Sequence, residues 1–224
     1  MKISLIIPVL NEAESIHRYL QPLQFLREQI HEVIIVDGGS SDNTIECVEG
    51  LVDIICQSAM GRAMQQNFGA SQATGDLLVF LHADTVISQL CIEKLLNIGS
   101  NKLFWGRFNV RLSGKHWIFR IIEFFMNYRS CLTGIATGDQ AIFISKKLFD
   151  KVEAFPEIPL MEDIEISKKL KHLYKPICLK ERVITSSRRW EHKGIFRTMI
   201  MMWWFRLSYF FGASPKNLAK KYYS

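Results

Sequence analysis

The stretch from Asp76 to Asp84, DLLVFLHAD, decides the fold. Its apolar run, Leu77 to Leu81, is short, rich in Leu, Val and Phe, and follows Gly75, which is the pattern of a strand buried on both faces of a parallel sheet. In open α/β sheets, ligands bind beyond the carboxyl ends of the strands. His82 and Asp84 are therefore predicted to lie where the chemistry takes place.

Upstream of this strand, strand and helix patterns alternate along the chain. Three strands are predicted, at Ile3 to Leu10, Val33 to Val36 and Asp53 to Cys56. The helical patterns between them are Ile16 to Leu26 (Ile16, Leu20, Leu23 and Leu26 facing the sheet), Thr44 to Leu51, and Gly61 to Ala73. Such alternation predicts right-handed βαβ units, hence an α/β fold with a mostly parallel central sheet flanked by helices.

The downstream half is predicted to be less regular. A helix is expected over Leu90 to Ile98, a strand exposed on one face over Phe104 to Leu112, a strand over Ala136 to Ile144 with a Gly-Asp turn at its start, a loop over Phe155 to Pro159, and a helix from Met161 to Leu173. We interpret the whole chain as one domain with three parts. These are a nucleotide-binding half (1–100), an acceptor and catalytic half (101–190), and a basic, aromatic C-terminal segment (191–224).

Composition limits the classes of partner. The net charge of +6 over 224 residues suggests anionic partners, namely nucleotide phosphates, an anionic membrane surface or nucleic acid, although a basic solvated surface explains it equally well. The five cysteines are odd in number and form no CxxC pair, so we expect reduced thiols and a cytoplasmic location. No apolar run reaches 18 residues, so no transmembrane helix is predicted.

The acids that follow the strands are the candidate ligands. Asp37 and Asp84 both end parallel strands, so they should converge on one sheet edge and suit a nucleotide with a hard cation. Asp42 is expected to cap the next helix, and the Gly38-containing turn before it is expected to bind an anion. The role of His82 stays open: it is either a structural hydrogen-bonding residue or a metal ligand.

Competing nucleotide and hydrolase motifs are absent. The sequence contains no GxGxxG after a strand, no GxxxxGK[ST], no HExxH and no GxSxG. A Rossmann dehydrogenase, a P-loop enzyme, a zinc protease of that type and an α/β-hydrolase are therefore disfavoured. The remaining interpretation is a nucleotide site that uses Mg²⁺ or Mn²⁺ and strand-end acids.

The ordered series of motifs resembles the family 2 glycosyltransferases of the GT-A fold, and within them a compact bacterial branch with a His-Ala-Asp metal motif. The resemblance covers about Met1 to Leu173. The residues that carry it are Ile6 to Glu12 (IIPVLNE), Val36 to Thr44 (VDGGSSDNT), Gly61 and Arg62 with Asn67 and Gly69, Gly75 and Asp76, Leu81 to Thr85 (LHADT), Gly138 to Gln140 (GDQ), and Glu162 with Asp163.

The resemblance implies a role for each matching residue. Asp163 would be the catalytic base, Asp139 would face the sugar or acceptor, Arg62 would meet the diphosphate, and Asp37 would accept a hydrogen bond from the base. Asp84 would hold a divalent metal, with His82 standing where the family's motif has its first acid. The other expected substrate contacts are Pro8, Asn11, Glu12, Gly38, Asn67, Glu162, Arg189 and Trp190.

Together these implications predict an inverting, metal-dependent transfer of a sugar from a nucleotide donor, expected to be a UDP-sugar, to an acceptor hydroxyl. Ser186 replaces the glutamine of the Gln-x-x-Arg-Trp motif of processive synthases, so polymerisation is not predicted. No nucleic acid partner is expected. The rival hypotheses are a sugar-nucleotide nucleotidyltransferase and a non-catalytic nucleotide-binding or membrane adaptor with a degenerate site.

Two aromatic segments carry the remaining signal. On a helix from His116 to Asn127, the polar residues fall within about 60° and all other positions are apolar, so this helix should bury two sides. Met199 to Phe205 (MIMMWWF) is apolar all round and flanked by Arg197 and Arg206. Either the two segments pack together or form a homodimer interface, or they bind an anionic membrane peripherally at the inner face of the cell membrane, beside an amphiphilic or lipid-linked acceptor.

Overall fold

The computed structural model describes residues 1–99 and 102–223. The boundary expected between the first two parts, at 100 and 101, lies outside the described residues. The strands are β1 (Ile3–Val9), β2 (Glu32–Asp37), β3 (Ile54–Gln57), β4 (Leu77–Phe80), β5 (Thr85–Val86), β6 (Trp105–Leu112), β7 (Ile142–Ser145) and β8 (Ile177–Thr185). The helices are α1 (Ile16–Gln24), α2 (Arg62–Gln72), α3 (Gln89–Leu96), α4 (Trp117–Thr133), α5 (Lys146–Lys151), α6 (Glu162–Leu173), α7 (Arg188–Lys193), α8 (Ile195–Phe210) and α9 (Pro215–Tyr223).

The strands form one curled, mixed sheet of order β3-β2-β1-β4-β7-β6-β8-β5. The first four strands are parallel, as the alternation of strands and helices predicts. β7 then runs antiparallel to both β4 and β6, whereas β8 is parallel to β6 and antiparallel to β5. The predicted α/β class with helices flanking the sheet is therefore confirmed.

Core packing follows from the continuous apolar strands. Every residue of β4 is buried, and neighbouring residues of β1 contribute to clusters on opposite faces of the sheet, Leu5 and Ile7 to one and Ile6 to the other. The first cluster includes α1 and α3 side chains, and the second includes those of α2, α5 and α6. Burial on both faces is the reason these strands read as apolar runs rather than as alternating ones.

Three predicted elements need correction. The segment predicted as a helix from Thr44 to Leu51 is a series of turns, within which Gly50 has a φ of +76°. Its β-branched Thr, Ile and Val residues are weak helix formers. The strand predicted from Ala136 begins only at Ile142, because Gly138–Gln140 forms a 3₁₀ turn closed by hydrogen bonds between Thr137 and Gln140. β6, predicted to be exposed on one face, is buried over most of its length and includes the buried Arg107.

α4 contacts the sheet through its polar stripe, which reverses the expected orientation. The carboxylate of Glu123 accepts a hydrogen bond from Leu112 N at 2.7 Å, and the amide of Asn127 exchanges two hydrogen bonds with the backbone of Val110 at 2.8 and 3.0 Å. β7 pairs only with the first two residues of β6, so the rest of that edge needs other partners. The polar residues of α4 supply them.

The apolar residues of α4 consequently divide into two groups. Phe119, Ile122 and Met126 pack with Trp190 of α7 and with Ile195 and Met199 of α8. Trp117, Phe124, Phe125 and Tyr128 are exposed. Within residues 1–99 and 102–223, no helix is both long enough and apolar enough to cross a bilayer.

Candidate active site

The loops that follow β1 and β2 are held together by their own polar groups. Asn11, whose φ of 52° is in the left-handed region, accepts a hydrogen bond from Ser41 N at 2.8 Å. Glu12 N donates to Thr44 Oγ1 at 2.8 Å, and the Asp42 carboxylate accepts from Ala13 N and from Thr44 N. Asp42 therefore has a structural role, although it stabilises a turn rather than a helix.

Asp37 closes the turn after β2. Its buried carboxylate accepts hydrogen bonds from Gly39 N, Ser40 N and Ser40 Oγ. These backbone donors are the ones on which the predicted anion site depended, so the structure does not support that site. A carboxylate has about four acceptor positions, which leaves capacity for one further donor. A cleft of about 340 Å³ adjoins Asp37 and is bordered by Ile45, Ile55 and Gln57.

Gln65 of α2 shapes the site, although no sequence pattern marks it. Its buried amide nitrogen donates at 2.8 Å to both Val9 O and Val36 O, and so joins the carboxyl ends of β1 and β2. A side chain on Gly38 would lie 3.1 Å from this amide. Gly38, expected to contact substrate, therefore also allows Gln65 to reach the strand ends.

Asp84, Asp139 and His82 lie together beyond β4. The Asp84 carboxyl makes no hydrogen bond within the described part of the chain. Burial raises the pKa of Asp84, and the positive potential of His82 opposes that rise, while the nearby carboxylates of Asp139 and Glu12 add to it. A cation placed here would offset the repulsion among these acids.

His82 is committed to contacts on both ring nitrogens. Its Nδ1 lies 3.2 Å from Asp139 Oδ1, and its Nε2 is buried against the backbone of Gly138 without a hydrogen-bond partner among the residues described. Burial alone would raise the pKa of Asp139, but the hydrogen bond with His82, together with the charges of His82, Arg62 and Arg206, lowers that pKa overall. Nδ1 is therefore engaged by Asp139, whereas the ligand role of His82 stays a prediction.

The remaining donors fit a hard divalent cation. Over residues 1–99 and 102–223, no three His, Cys, Asp or Glu side chains form a ligand cluster. Mg²⁺ commonly uses only one or two protein carboxylates and takes its other ligands from substrate phosphates and water. Asp84, with its unpaired carboxyl, would hold such an ion, and Asp139 is the adjacent acid.

The start of α6 brings Glu162 and Asp163 to the same region. Asp163 Oδ2 accepts a hydrogen bond from Gly138 N at 3.1 Å, which places this carboxylate beside the turn that carries Asp139. Burial raises the pKa of Glu162 and the charge of Arg62 opposes it, consistent with an Arg62 Nη1 to Glu162 Oε1 distance of 3.6 Å. Both acids therefore do more than complement the helix dipole.

Other predicted contacts divide between the site and the scaffold. Glu12 forms an ion pair with Arg188 at 3.3 Å, which brings the start of α7 to the site. Asn67, expected to touch substrate, instead uses both polar side-chain atoms on the backbone of Phe155, at 2.8 and 3.0 Å. Arg189 stacks on Tyr222, and Trp190 packs between α4 and α8. Pro8 is the penultimate residue of β1 and adjoins Val36.

Comparison with known proteins identifies the family. A model of the family described as Glycosyl transferase family 2 matches residues 4–148. The chain belongs to this family. The undecaprenyl-phosphate 4-deoxy-4-formamido-L-arabinose transferase of Proteus mirabilis is 35% identical over 94 residues, which are 37% of this chain and 29% of that protein. The matched part thus spans less than a third of the length of that relative.

Solved structures agree with the family 2 assignment at the level of the fold. TarS 1-349 of S. aureus, in complex with UDP-GlcNAc, superposes with a TM-score of 0.67 at 19% identity and covers 83% of this chain and 58% of its own. The mannosyltransferase PcManGT of Pyrobaculum calidifontis, in complex with GDP-Man and Mn²⁺, gives a TM-score of 0.61 at 16% identity and covers 82% and 56%. The predicted resemblance to GT-A glycosyltransferases is confirmed, whereas the His-Ala-Asp branch stays a prediction.

Proposed function

We propose that this family 2 protein is an inverting glycosyltransferase that moves a sugar from a nucleotide donor, most simply a UDP-sugar, to an acceptor hydroxyl. The observation that carries the proposal is the convergence of Asp84, Asp139 and Asp163 beyond the carboxyl end of β4, with Gly138 linking the last two. The nucleotide-sugar complexes of TarS and PcManGT support the donor class.

Each acid has a distinct task in this proposal. Asp163, oriented by Gly138 N, takes the proton of the acceptor hydroxyl as it attacks the sugar carbon. Asp139, held ionised by His82, faces the sugar, and Arg62 balances the charge of the diphosphate. A divalent metal at Asp84 would supply stabilisation of the departing nucleoside diphosphate.

Donor binding is tested first, by thermal stability against UDP-, GDP-, TDP- and CMP-sugars with and without Mn²⁺. A ligand at 100 times its Kd should add about 2.7 kcal/mol. Calorimetry with UDP should then show that Asp84→Ala removes the metal dependence and that Asp37→Ala weakens UDP itself. Asp150→Ala, on the exposed face of α5, is the matched control. Unchanged UDP affinity in both site variants would contradict the proposed site.

Catalysis is tested with Asp163→Asn. This change should leave UDP-sugar binding intact and slow transfer by about 10² to 10⁴, the usual contribution of a general base. Full activity in this variant would mean that Asp163 is not the base and only stabilises the start of α6. Nucleotide binding without any transfer in the wild type would favour the adaptor hypothesis, and release of pyrophosphate from a nucleoside triphosphate and a sugar phosphate would favour the nucleotidyltransferase.

We also propose that the protein binds anionic membranes peripherally, at the inner face of the cell membrane, through an aromatic surface. We define this surface as the exposed apolar side chains of α4 and α8, including Trp117, Phe124, Phe125, Phe196, Trp203 and Phe210. Trp and Phe beside cations are typical of interfacial anchors. The cations are present, because Lys221 lies 4.9 Å from the ring of Trp204, and Lys216 and Lys220 are exposed nearby in sequence.

Liposome flotation tests the membrane proposal. Wild type should float with anionic vesicles at low salt and less at high salt, and Phe124→Ala with Trp203→Ala should reduce flotation. Phe25→Ala is the control, because Phe25 is even more exposed but follows α1. A protein that never floats and sediments as a discrete dimer would support the homodimer alternative.

A further inference from the structure

Two partly buried arginines near Asp163 lack side-chain hydrogen-bond partners among the described residues. Nη2 of Arg129, on α4, is buried and has no hydrogen-bond partner among residues 1–99 and 102–223. Arg206, on α8, forms no hydrogen bond or ion pair with any described residue. A guanidinium has five donors, and leaving a buried donor unpaired costs free energy.

The two guanidinium groups also repel each other. Burial and then the charge of Arg206 lower the pKa of Arg129 to about 10, and the carboxylate of Asp163 opposes this lowering. Arg206 in turn contributes to the lowered pKa of Asp139. The pair therefore lies within electrostatic range of the two acids that face the acceptor, yet neither acid forms an ion pair with it within 4.0 Å in the described residues.

The fold brings the pair close to the acids and to the helices that carry the aromatic surface. Phe205 is buried against Leu160 and Met161, the two residues that precede α6, so α8 is packed on the segment that positions Asp163. Arg206 follows Phe205 directly, and Arg129 follows the exposed Tyr128 on α4. Each arginine is therefore next in the chain to an aromatic residue of α4 or α8, and each lies within electrostatic range of Asp163 or Asp139.

We propose that Arg129 and Arg206 bind an anionic phosphate ester that the acceptor carries next to its reacting hydroxyl. This inference rests on the proposed function and specifies the acceptor class. Phosphate suits the pair because guanidinium groups bind its oxygens with charge-assisted, often bidentate hydrogen bonds. A hydroxylated phospholipid headgroup and a soluble hydroxylated phosphate ester share this chemistry.

Thermal stability with glycerol 3-phosphate tests the site, with UDP and Mn²⁺ saturating so that the diphosphate site is filled. Wild type should be stabilised by the ester, and Arg129→Met and Arg206→Met should each weaken its binding by about 10- to 100-fold, the contribution of hydrogen bonds to a charged group. Without the ester, both variants should be at least as stable as wild type, because repulsion is removed. Arg197→Met, an exposed arginine of the same helix, should behave as wild type.

Equal responses to the ester in wild type and both variants would overturn the proposal, and so would no response in wild type. The stabilisation by UDP, measured in the same samples, reports separately on the proposed function. Vesicles distinguish the two sources of phosphate. If the acceptor is a lipid, transfer onto phosphatidylglycerol vesicles should exceed transfer onto soluble glycerol 3-phosphate. Phosphatidylcholine vesicles are the lipid control. More transfer onto glycerol 3-phosphate than onto phosphatidylglycerol would indicate a soluble ester.

Discussion

Gly138→Ala tests whether the contact between Gly138 and His82 shapes the site. Gly138 is not in the left-handed region, so alanine can adopt its backbone conformation. An added methyl would lie 2.7 Å from Cε1 of His82 and closer still to Nε2. Because carbon atoms pack best at about 3.5 to 4.0 Å, the imidazole would have to move by about 1 Å, which would disturb its contact with Asp139.

The magnitude follows from two opposing effects. Overpacking a buried contact costs about 1–3 kcal/mol, whereas replacing glycine by alanine restricts the unfolded chain and stabilises by about 0.4–1 kcal/mol. In wild type the change should therefore destabilise by about 0.5–2 kcal/mol. In a His82→Ala background only the stabilising effect should remain.

Urea unfolding of the wild type, both single variants and the double variant gives the coupling energy directly. We expect about 1–3 kcal/mol between positions 82 and 138. Coupling below about 0.5 kcal/mol, the level at which independent sites add, would refute the contact. Gly138→Ala should also slow sugar transfer by about 10²-fold, since a displacement of 1 Å in a positioning group has effects of that size.

Three further outcomes are expected. Asn67→Ala should destabilise the protein by about 1–3 kcal/mol in urea unfolding, because the backbone of Phe155 loses two hydrogen bonds. It should leave UDP affinity unchanged, whereas the loss of a substrate contact would weaken it. Glu123→Ala should lower the free energy of unfolding by a similar amount in the same assay, because Leu112 N would be left unpaired beneath α4. An unchanged free energy would mean that water replaces the carboxylate as the partner of Leu112 N. Burial raises the pKa of Glu32, but hydrogen bonds from Ser4 and Thr74 outweigh it and lower that pKa below its ordinary 4.5. The contribution of Glu32 to the free energy of unfolding is therefore complete above pH 4.5 and is lost as the pH falls through the lowered pKa of the folded state. Thermal melts between about pH 3 and 6 should show a smaller acid-side loss for Glu32→Gln, and identical slopes would contradict this.

The parallel half of the fold could be predicted from the sequence because its signal is local. β1, β2 and β4 are apolar runs, and the helices between them carry one apolar face each, so period and order suffice. The helix predicted at Thr44 to Leu51 was wrong because the apolar spacing matches a helix, whereas the segment forms turns whose first backbone donor, Thr44 N, is bound by the Asp42 carboxylate.

Local pattern marks the site only where its residues follow strands, as Asp37 and Asp84 do. Asp139 and Asp163 were indicated only by the family resemblance, and the structure places both near Asp84. Glu12 and Arg188 are 176 positions apart in the chain, so no local pattern can indicate their ion pair. Arg129 and Arg206 belong to helices whose sequences show only aromatic character. Their proximity depends on how α8 packs against the residues that precede α6.

The orientation of α4 links the failed expectation to the membrane proposal. A helical stripe of polar residues is normally interpreted as the solvent side, and that assumption placed the apolar sector of α4 in the core. The open edge of β6 reverses it, because unpaired backbone groups there require Glu123 and Asn127. Since the polar stripe faces inward, Phe124, Phe125 and Tyr128 have no core to enter. Their exposure therefore follows from the hydrogen-bonding needs of the sheet, and α8, which packs on α4, exposes Trp203 and Trp204 in addition.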